Sequence, residues 1–548
     1  MASASDPGYI GDLLIRNRIV MSPMISNMAS PDGNTNESHI SYLEERARGG
    51  AGLIITEYTY VDRRSGIGSR NQMGMYDERQ IPKFSRLTDR VHTHGSKIFV
   101  QLVHAGAKAI NSINEYKLAP SKTQFDPAAR EMDLSDIEGV ISAYEKAAVI
   151  AERSGFDGIE IHGAHGYLVD EFLSPWWNRR NDRYGGSFEN RIRFAQEVID
   201  AVRSQVSIPV GIRISLYEDE EDGYGPDYGA KIAESLKNVD YVHISAGNND
   251  PPGSSASFYS PHTHILQKIR HRTAKTLMVA GSITSEEDIE RVLSTADFAS
   301  IGRGLLADPY LPFKVVSGSG GIRPCIRCNQ GCRNLAYGEV RCTVNPYFVV
   351  PRPVKRYRGD IAIVGAGVKG LEASLYAAKS GLRVTLYEKE DRIGGQINEI
   401  FDESKKQEFG RLINYYAEAL KRYGVEIRTG EKYSGRGLYC LPDVKYPDLE
   451  EKGEIWIDSN VYKYHDIALK YARRSRVYIS RYSLMSLDRA RRKGYLELAE
   501  KYGITVVESS DHYDISLHDR NQYDIYRAML SGIEAFNNHI SALENEYL

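Results

Sequence analysis

The chain has 548 residues, of which 41% are apolar and 26% are charged, and its formal net charge is −3. These proportions are ordinary for globular proteins, and a chain of this length is expected to form more than one domain. The charge balance excludes the strongly basic surface that marks nucleic-acid-binding proteins. No apolar run approaches the roughly 18 residues of a spanning helix, and the N-terminal segment lacks the basic and apolar regions of a secretory signal. We therefore expect a cytoplasmic protein with no membrane partner.

The first part of the chain repeats one theme, a short β-branched segment followed by a polar loop and an amphipathic helical segment. Nearly continuous apolar segments are typical of parallel strands that are buried on both faces. Eight such segments that alternate with helices predict an α/β fold, a (β/α)₈ TIM barrel over residues 1–318. The segments are IVMSPM (19–24), GLIITEY (52–58), KIFVQLVH (97–104), GIEIHGAHG (158–166), VGIRIS (210–215), YVHISAG (241–247), LMVAGSI (277–283) and FASIGRG (298–304).

Polar residues and glycines lie at the carboxyl ends of these predicted strands, which is where a barrel forms its active site. Barrels usually bind phosphate after strands seven and eight, and AGSI (280–283) and IGRGLLADP (301–309) supply backbone amides and an arginine there. The alternative is that the glycines merely end strands and Arg303 is a surface charge. The strand-end residues are Pro23, Met24, Glu57, Tyr58, Gln101, His104, His162, His165, Arg213, Gly281, Gly302 and Arg303.

Four of the five cysteines lie in one segment with the spacing C-x₂-C-x₃-C-x₉-C, namely Cys325, Cys328, Cys332 and Cys342. In a reducing compartment such a cluster indicates metal or redox chemistry more often than disulfides. Three closely spaced cysteines with a distant fourth favour an iron–sulfur cluster. A zinc site, which usually has two C-x₂-C pairs, is the alternative. We predict an iron–sulfur segment and linker over residues 319–358.

A second α/β region begins near residue 359, after a linker rich in Pro and Arg. A β-branched strand leads into Gly365-x-Gly367-x-x-Gly370, a helical segment follows, and a second strand ends at Glu388. In dinucleotide-binding folds such glycines let the backbone approach a pyrophosphate at a helix N-terminus, and the acid binds ribose hydroxyls. Residues 359–433 are therefore predicted to form a Rossmann-like domain.

Residues 434–548 continue the α/β pattern without a second glycine-rich turn. The segment 454–480 is typical of a strand, a helix and a strand, but its first turn, DSNVYKY, contains no glycine. The last segment predicts one amphipathic helix. We therefore predict a degenerate nucleotide-binding-like region that ends in a helix.

Taken together, these segments resemble the multi-domain branch of the Old Yellow Enzyme family, which includes 2,4-dienoyl-CoA reductase and trimethylamine dehydrogenase. The matching motifs are NRIVMSPM, FVQLVHAGAKA, HGAHGYLVDEFLSPWWNRRNDRYGGSFENRIRF, IGRGLLADP, IRPCIRCNQGC, GAGVKGLEA and RIGGQIN. The resemblance implies FMN in the barrel, a [4Fe–4S] cluster, and a further site for ADP or FAD. Since ISNMAS contains no cysteine for covalent attachment, the FMN is expected to be non-covalent.

The resemblance also implies roles for individual residues. Tyr58, Pro23 and Met24 would line the flavin, and Gln101 and Arg213 would bind the pyrimidine edge of its isoalloxazine. The FMN phosphate would be held by Gly281, Ser282, Gly302 and Arg303. The cluster would be ligated by Cys325, Cys328, Cys332 and Cys342. The ADP portion of a dinucleotide would be held by Gly365, Gly367, Gly370, Glu388, Gly395 and Gln396.

For catalysis, the resemblance implies that His162 and His165 hydrogen-bond a substrate carbonyl while Tyr167 protonates the carbon alpha to it. This is an oxyanion hole combined with a general acid. From spacing alone, two histidines three residues apart are more often core or helix-start residues than catalysts, but their place after the fourth predicted strand favours catalysis. Amine-oxidising relatives typically carry tyrosine at the position of His162, so histidine favours a conjugated carbonyl substrate.

Three functional hypotheses follow. The first is an FMN and [4Fe–4S] oxidoreductase that reduces an activated C=C bond, in an enone or enoyl thioester, with electrons from NADH or NADPH. Hydride would leave flavin N5 and the proton would come from Tyr167. The second is a dehydrogenase that passes electrons from a substrate through FMN and the cluster to an electron-transfer protein. The third is a non-catalytic electron carrier or relic. We also expect a homo-oligomer.

Overall fold

The computed structural model describes residues 2–123, 125–220, 222–247, 257–259, 275–333, 338–348, 352, 356–487, 489–519 and 524–546. Within it the chain divides into two compact units. The first comprises residues 1–256, 262–320 and 335–340, and the second comprises residues 257–261, 321–334 and 341–548. Each unit has its own sheets and core, and they are described in turn.

The first unit is a closed barrel of eight strands. Each strand pairs in parallel with the next one along the chain, and the eighth pairs with the first, so the ring closes without an edge. In chain order the barrel strands are Ile19–Met21, Leu53–Tyr60, Lys97–Val103, Gly158–Gly163, Val210–Ser215, Tyr241–Ser245, Thr276–Ala280 and Phe298–Ile301. The predicted (β/α)₈ barrel is confirmed.

Helices alternate with the barrel strands along the chain, as predicted. Most bury one face, whereas Leu168–Leu173 and Arg303–Ala307 are buried on all sides. Leu134–Arg153 shows why they form: Asp133 and Asp136 accept each other's backbone N–H in a capping box, and Ile137, Val140 and Tyr144 are buried along one face. The helices are Glu37–Arg48, Ile81–His92, Leu134–Arg153, Leu168–Leu173, Phe188–Gln205, Pro226–Ser235, Glu286–Leu293, Arg303–Ala307 and Leu311–Val316, with 3₁₀ turns Glu78–Gln80 and Gly106–Lys108.

Two small sheets complete the first unit. An antiparallel hairpin, Gly8–Ile10 with Leu13–Ile15, places Ile10 and Ile15 in one apolar cluster with residues from the first halves of the barrel strands. This closes the amino end of the barrel with a packed core. A second, parallel pair is formed by Lys117–Ala119 and Ala129–Glu131. The carboxyl end of the barrel is thereby left as the end where polar side chains collect.

The second unit contains two four-stranded parallel sheets. The first has the order Glu426–Thr429, Arg383–Glu388, Asp360–Val364 and Leu438–Tyr439. The second has the order Thr505–Val507, Arg476–Ser480, Glu454–Ser459 and Ile515–Leu517. Its helices are Gln330–Arg333, Val368–Lys379, Glu403–Arg422, Tyr462–Tyr471, Arg481–Leu484, Arg489–Tyr502 and Ile525–Glu546, with 3₁₀ turns Pro346–Phe348 and Gly395–Glu399.

The predicted strand–helix–strand pattern of residues 454–480 and the C-terminal helix are both present. That last helix packs closely on Val368–Lys379, since a Cβ atom at Gly532 would lie 2.3 Å from the Lys369 carbonyl oxygen. Among the described residues, no helix is both long and apolar enough to cross a membrane.

Candidate active site

The HGAHGY motif forms a tight turn at the carboxyl end of the fourth barrel strand. His162 lies on the strand, whereas His165 adopts a left-handed backbone with φ of 64°, an uncommon conformation for a non-glycine residue. Tyr167 directly precedes the helix Leu168–Leu173, and the Gly166 N–H donates to Asp170 Oδ2 at 2.7 Å. The turn is thus fixed by a carboxyl group that the helix supplies.

Four of the predicted site residues form a cluster of rings. The ring centroids of His162 lie 5.0 Å from those of Tyr167 and 5.1 Å from those of His165. Tyr58, from the second barrel strand, lies 5.1 Å from Tyr167. The structure therefore brings together side chains from two strands and one turn at this end of the barrel.

His162 is a neutral hydrogen-bond donor. Burial lowers its pKa well below the usual 6.5, and the nearby positive charges of Arg213 and Lys108 add to this effect. Its Nδ1 accepts the Ala164 N–H at 3.3 Å, so the single imidazole proton resides on Nε2. A fixed, uncharged N–H therefore projects from the end of the fourth strand.

The ring of His165 is hydrogen-bonded to a serine of the sixth strand. Its Nε2 lies 2.7 Å from Ser245 Oγ, which also accepts a hydrogen bond from Arg213 at 3.2 Å. Because arginine is always a donor, the Ser245 hydroxyl proton can serve His165 Nε2, which favours the tautomer with the proton on Nδ1. The Lys108 ammonium donates to the His165 carbonyl oxygen at 2.7 Å and lies 5.7 Å from the Tyr167 ring centroid.

Gln101 and Arg213, on the third and fifth strands, lie in the barrel interior and are almost fully buried. Gln101 Nε2 donates to Glu160 at 2.7 Å. Burial lowers the pKa of Arg213 to about 10, and its Nε is buried without a hydrogen-bond partner among the described residues. A buried cation with an unsatisfied donor fits the pyrimidine edge of a flavin, where negative charge collects on reduction.

The predicted phosphate residues lie in neighbouring loops. Gly281 and Ser282 follow the seventh strand, and Gly302 and Arg303 follow the eighth, with Ser282 in the left-handed region at φ of 56°. A Cβ atom at Gly302 would lie 2.8 Å from Met24 Sδ, so the loop after the first strand packs against this turn. Pro23 is buried directly before Met24.

Sequence reasoning did not assign roles to several buried polar residues near these groups. Glu57 accepts the backbone N–H and the hydroxyl of Ser26 at 2.5 Å each, and so fixes the loop that carries Met24. Asp170 fixes the HGAHGY turn, and Glu160 contacts Gln101. The available signal was a charged residue inside an otherwise apolar segment, as in GIEIHGAHG.

In the second unit, the four clustered cysteines are close enough to interact. None of the five cysteines, all in described residues, forms a disulfide. Burial raises the pKa of Cys342 well above its usual range, and the neighbouring Cys325, Cys328 and Cys332 raise it further. Among the described residues, no three His, Cys, Asp or Glu side chains converge tightly enough to hold a single metal ion.

The glycine-rich loop of the second unit has the shape of a dinucleotide cradle. A Cβ atom at Gly370 would lie 1.8 Å from the Gly365 carbonyl oxygen, whereas one at Gly367 would meet no atom within 4 Å. Glu388 accepts the Ala366 N–H at 2.7 Å. A Cβ atom at Gly395 would lie 3.0 Å from the Gly367 Cα, and Gln396 is exposed beside it. The loop is therefore close-packed at Gly370 and open at Gly367.

A closed parallel barrel with a buried cation and a cluster of polar rings at its carboxyl end is an arrangement that a flavin-dependent oxidoreductase can use. The chain belongs to the NADH:flavin oxidoreductase / NADH oxidase family, whose model matches residues 6–320. Residues 363–429 match an NAD(P)-binding Rossmann-like domain. The protein is thus an FMN-dependent oxidoreductase, which confirms the predicted family and enzyme class.

Named relatives agree with this assignment. The chain is 38% identical over 464 residues to an NADH oxidase of Thermoanaerobacter brockii, a match that covers 80% of this chain and 71% of that protein. It is 34% identical over 468 residues to a cinnamate reductase of Clostridium sporogenes, with 77% and 70% covered. A solved complex of 2-naphthoyl-CoA reductase with 2-naphthoyl-CoA shares the fold, with a TM-score of 0.86 at 20% identity over 97% of this chain and 99% of that one.

Proposed function

We propose that this chain reduces the activated C=C bond of an α,β-unsaturated carbonyl compound with electrons from NADH or NADPH. The observation that carries the proposal is the pairing of His162 and Tyr167. A neutral N–H donor and a phenol lie on adjacent rings, 5.0 Å apart, at the carboxyl end of the barrel. Ene reduction needs both groups: a donor for the carbonyl oxygen and an acid for the α-carbon.

The residues divide this chemistry between them. Bound FMN, once reduced, would supply hydride, that is two electrons and one proton, to the β-carbon. Negative charge would then develop on the carbonyl oxygen, where the His162 Nε2–H can donate. The Tyr167 hydroxyl would give its proton to the α-carbon and later regain one from solvent. Tyr58, whose pKa is raised by burial and by its hydrogen-bonded neighbour Tyr167, stays protonated and orients that acid. The nicotinamide is oxidised as the alkene is reduced.

Two facts favour an alkene over an amine as substrate. Histidine stands at position 162, where the amine-oxidising members of the resembling branch typically carry tyrosine. The cinnamate reductase relative, at 34% identity, is named for an α,β-unsaturated acid. We therefore propose an enone, an enoyl thioester or an unsaturated acid as the substrate class.

We also propose that Cys325, Cys328, Cys332 and Cys342 hold a [4Fe–4S] cluster. Around one zinc ion, four thiolates must all lie about 2.3 Å from the same centre, whereas in a cubane each thiolate binds a different iron and the thiols stay further apart. Three closely spaced cysteines with a distant fourth suit this wider cage, and none of the four thiols is engaged in a disulfide.

The two sheets of the second unit differ as nucleotide sites. The open space above Gly367, with Glu388 beside it, suits an ADP moiety. In the second sheet the corresponding turn is crossed by side chains: Asn460 exchanges hydrogen bonds with the backbone of Asp519 at 2.9 and 3.0 Å, and Tyr446 donates to Asp519 Oδ2 at 2.7 Å. We propose that NAD(P)H meets the FMN in the barrel rather than binding in this turn.

The test is an anaerobic double-mixing experiment on the purified protein. NADH or NADPH is mixed first while the visible flavin band is followed, and then cinnamate, 2-cyclohexenone or crotonyl-CoA is added. We expect bleaching, followed by recovery of the band with release of the saturated product. A reduced flavin that persists with all three acceptors would contradict the proposal. Reduction of the flavin by an amine, with no reduction by a nicotinamide, would instead favour a dehydrogenase.

A further inference from the structure

A buried polar cluster lies inside the barrel beneath the predicted flavin residues. It consists of Gln101, Glu160, Arg213, Tyr241 and His243, which come from the third to the sixth strand and are each at most 4% exposed. Only Gln101 and Arg213 have an assigned role as flavin ligands. Burying an ionisable side chain such as Glu160 is costly unless it is paired and hydrogen-bonded, so its partners decide what it does.

Glu160 fixes the orientation of the Gln101 carboxamide. The Gln101 Nε2 donates to Glu160 Oε1 at 2.7 Å, and a carboxylate cannot return a proton to that amide. The amide nitrogen is therefore committed to Glu160, and the amide oxygen points away from it. An oxygen acceptor is what the imide N–H of an isoalloxazine requires. Without Glu160 the carboxamide could turn and present its NH₂ group instead.

Glu160 also supplies a negative charge close to Arg213. Its Oε2 accepts from the Tyr241 hydroxyl at 3.0 Å and lies 2.8 Å from His243 Nδ1. Burial pulls the pKa of Glu160 upward, but His243, Arg213 and Gln101 together lower it overall, so the group is a carboxylate. Burial lowers the pKa of His243, so this ring is a neutral donor. One buried anion thus faces one buried cation.

We propose that Glu160 is a positioning residue for the flavin, which orients Gln101 and balances the charge of Arg213. The inference rests on FMN binding in the barrel. Reduction of FMN places negative charge at its pyrimidine edge, where Arg213 favours the reduced form and Glu160 opposes it through a medium of low dielectric constant. Glu160 therefore holds the reduction potential of the bound flavin below the value that Arg213 alone would give.

Three variants of the holoenzyme separate the two effects. Glu160→Gln removes the charge with little change of shape, and we expect the FMN midpoint potential to become more positive by at least about 30 mV, a tenfold change for a two-electron couple. Glu160→Asp keeps the charge but is too short to reach Gln101, so FMN affinity falls at least tenfold while the potential stays near the wild-type value. Tyr241→Phe keeps both charges and serves as the control. Its midpoint potential should shift by less than half as much as that of Glu160→Gln.

Spectroelectrochemical titration gives the potential and flavin fluorescence gives the FMN dissociation constant. A Glu160→Gln protein that binds FMN at the wild-type potential would overturn the charge role. A Glu160→Asp protein that binds FMN as tightly as wild type would overturn the positioning role, and this result does not depend on the glutamine variant folding. If the wild-type protein itself takes up no FMN, the barrel flavin site fails, and this inference fails with it.

Discussion

In the proposed reaction, His162 acts as an uncharged hydrogen-bond donor. A histidine in water is charged in part near neutral pH, and its two nitrogens exchange roles as donor and acceptor. Here burial and two nearby cations keep the ring uncharged, and the Ala164 N–H fixes the proton on Nε2. The ring is therefore a donor with one orientation, which costs no reorganisation when charge develops on a carbonyl oxygen.

Substitutions at position 162 should follow this reasoning. His162→Leu removes the donor, so the rate of alkene reduction is expected to fall about 100-fold, the usual loss for one oxyanion donor. His162→Asn keeps an N–H donor and should stay within about tenfold of wild type, about 1.4 kcal/mol in activation free energy. Single-turnover oxidation of the reduced flavin by an enone measures both rates.

The pH profile provides the control for the same residue. Since the pKa of His162 lies well below 6.5, its protonation should leave the alkene step unchanged from about pH 8 to about pH 6. A titration centred near pH 6.5 that disappears in His162→Asn would show that the ring is charged in this range and would contradict the assignment.

Residues inside the barrel were harder to predict than residues at its mouth. His162, Tyr167 and Arg213 were found because a motif or a strand end marks them. Glu160 and His243 are polar residues inside the apolar segments GIEIHGAHG and YVHISAG. Polar residues in such segments indicate a buried polar cluster. The partner of each residue comes from another strand, however, and only the folded barrel brings Glu160 Oε2 and His243 Nδ1, 83 positions apart in the chain, to 2.8 Å.

At the scale of elements, two glycines of the glycine-rich loop have different roles. Gly370 allows the helix Val368–Lys379 to approach Gly365, since a Cβ atom there would lie 1.8 Å from a backbone oxygen. Gly367 has open space around it and an ordinary φ of −72°. Gly370 therefore serves packing, whereas Gly367 keeps a surface open.

Replacement of these two glycines by alanine should affect different properties, the stability of the unit at Gly370 and ADP binding at Gly367. Gly370→Ala is expected to lower the free energy of unfolding of this unit by about 2–3 kcal/mol, because backbone must shift to admit the methyl group. Gly367→Ala should cost about 1 kcal/mol or less and weaken ADP binding at least about tenfold. Denaturant unfolding and ADP titration measure the two effects. Wild-type ADP affinity in Gly367→Ala would refute the cradle.

Strands and helices were largely predictable from the sequence. Buried parallel strands have short, continuous apolar segments, and most helices between them have an amphipathic pattern. All eight predicted barrel segments overlap an observed strand. Their ends were less well predicted: LMVAGSI continues to residue 283, whereas the strand ends at Ala280, because Gly281 and Ser282 already turn into the loop. In the second sheet of the C-terminal unit, the strand–helix–strand pattern of residues 454–480 was predicted, although no motif marks it; the strand Ile515–Leu517 was not predicted.

At the scale of the whole molecule, the second unit combines the cysteine segment with the glycine-rich domain. Arg323, two residues before Cys325, donates to both oxygens of Glu372 at 2.9 and 3.2 Å, and Glu372 lies on the helix that follows the glycine-rich loop. Arg323 also donates to the Val344 carbonyl oxygen at 2.8 Å. Both ends of the cysteine segment are thus anchored to the unit's core.

Metal loading tests this arrangement. After anaerobic reconstitution with iron and sulfide, the wild-type protein is expected to hold about four irons per chain. Cys332→Ser and Cys342→Ser should each lose the cluster and its visible absorption. Cys440→Ser, which removes the remaining buried thiol, is the matched control and should load as wild type. Stoichiometric zinc in place of iron, after purification without reconstitution, would contradict the iron–sulfur assignment.

The central claim is that this barrel reduces an alkene with Tyr167 as the acid, and one measurement tests it most directly. Reduced wild-type, Tyr167→Phe and Tyr76→Phe proteins are mixed anaerobically with an enone, and recovery of the flavin band is timed. Tyr76, whose hydroxyl donates to the Asp32 carbonyl oxygen, is the control. We predict that Tyr167→Phe slows recovery by about 10²–10⁴-fold without changing reduction by NAD(P)H, while Tyr76→Phe matches wild type. Recovery of Tyr167→Phe at the wild-type rate would contradict the claim.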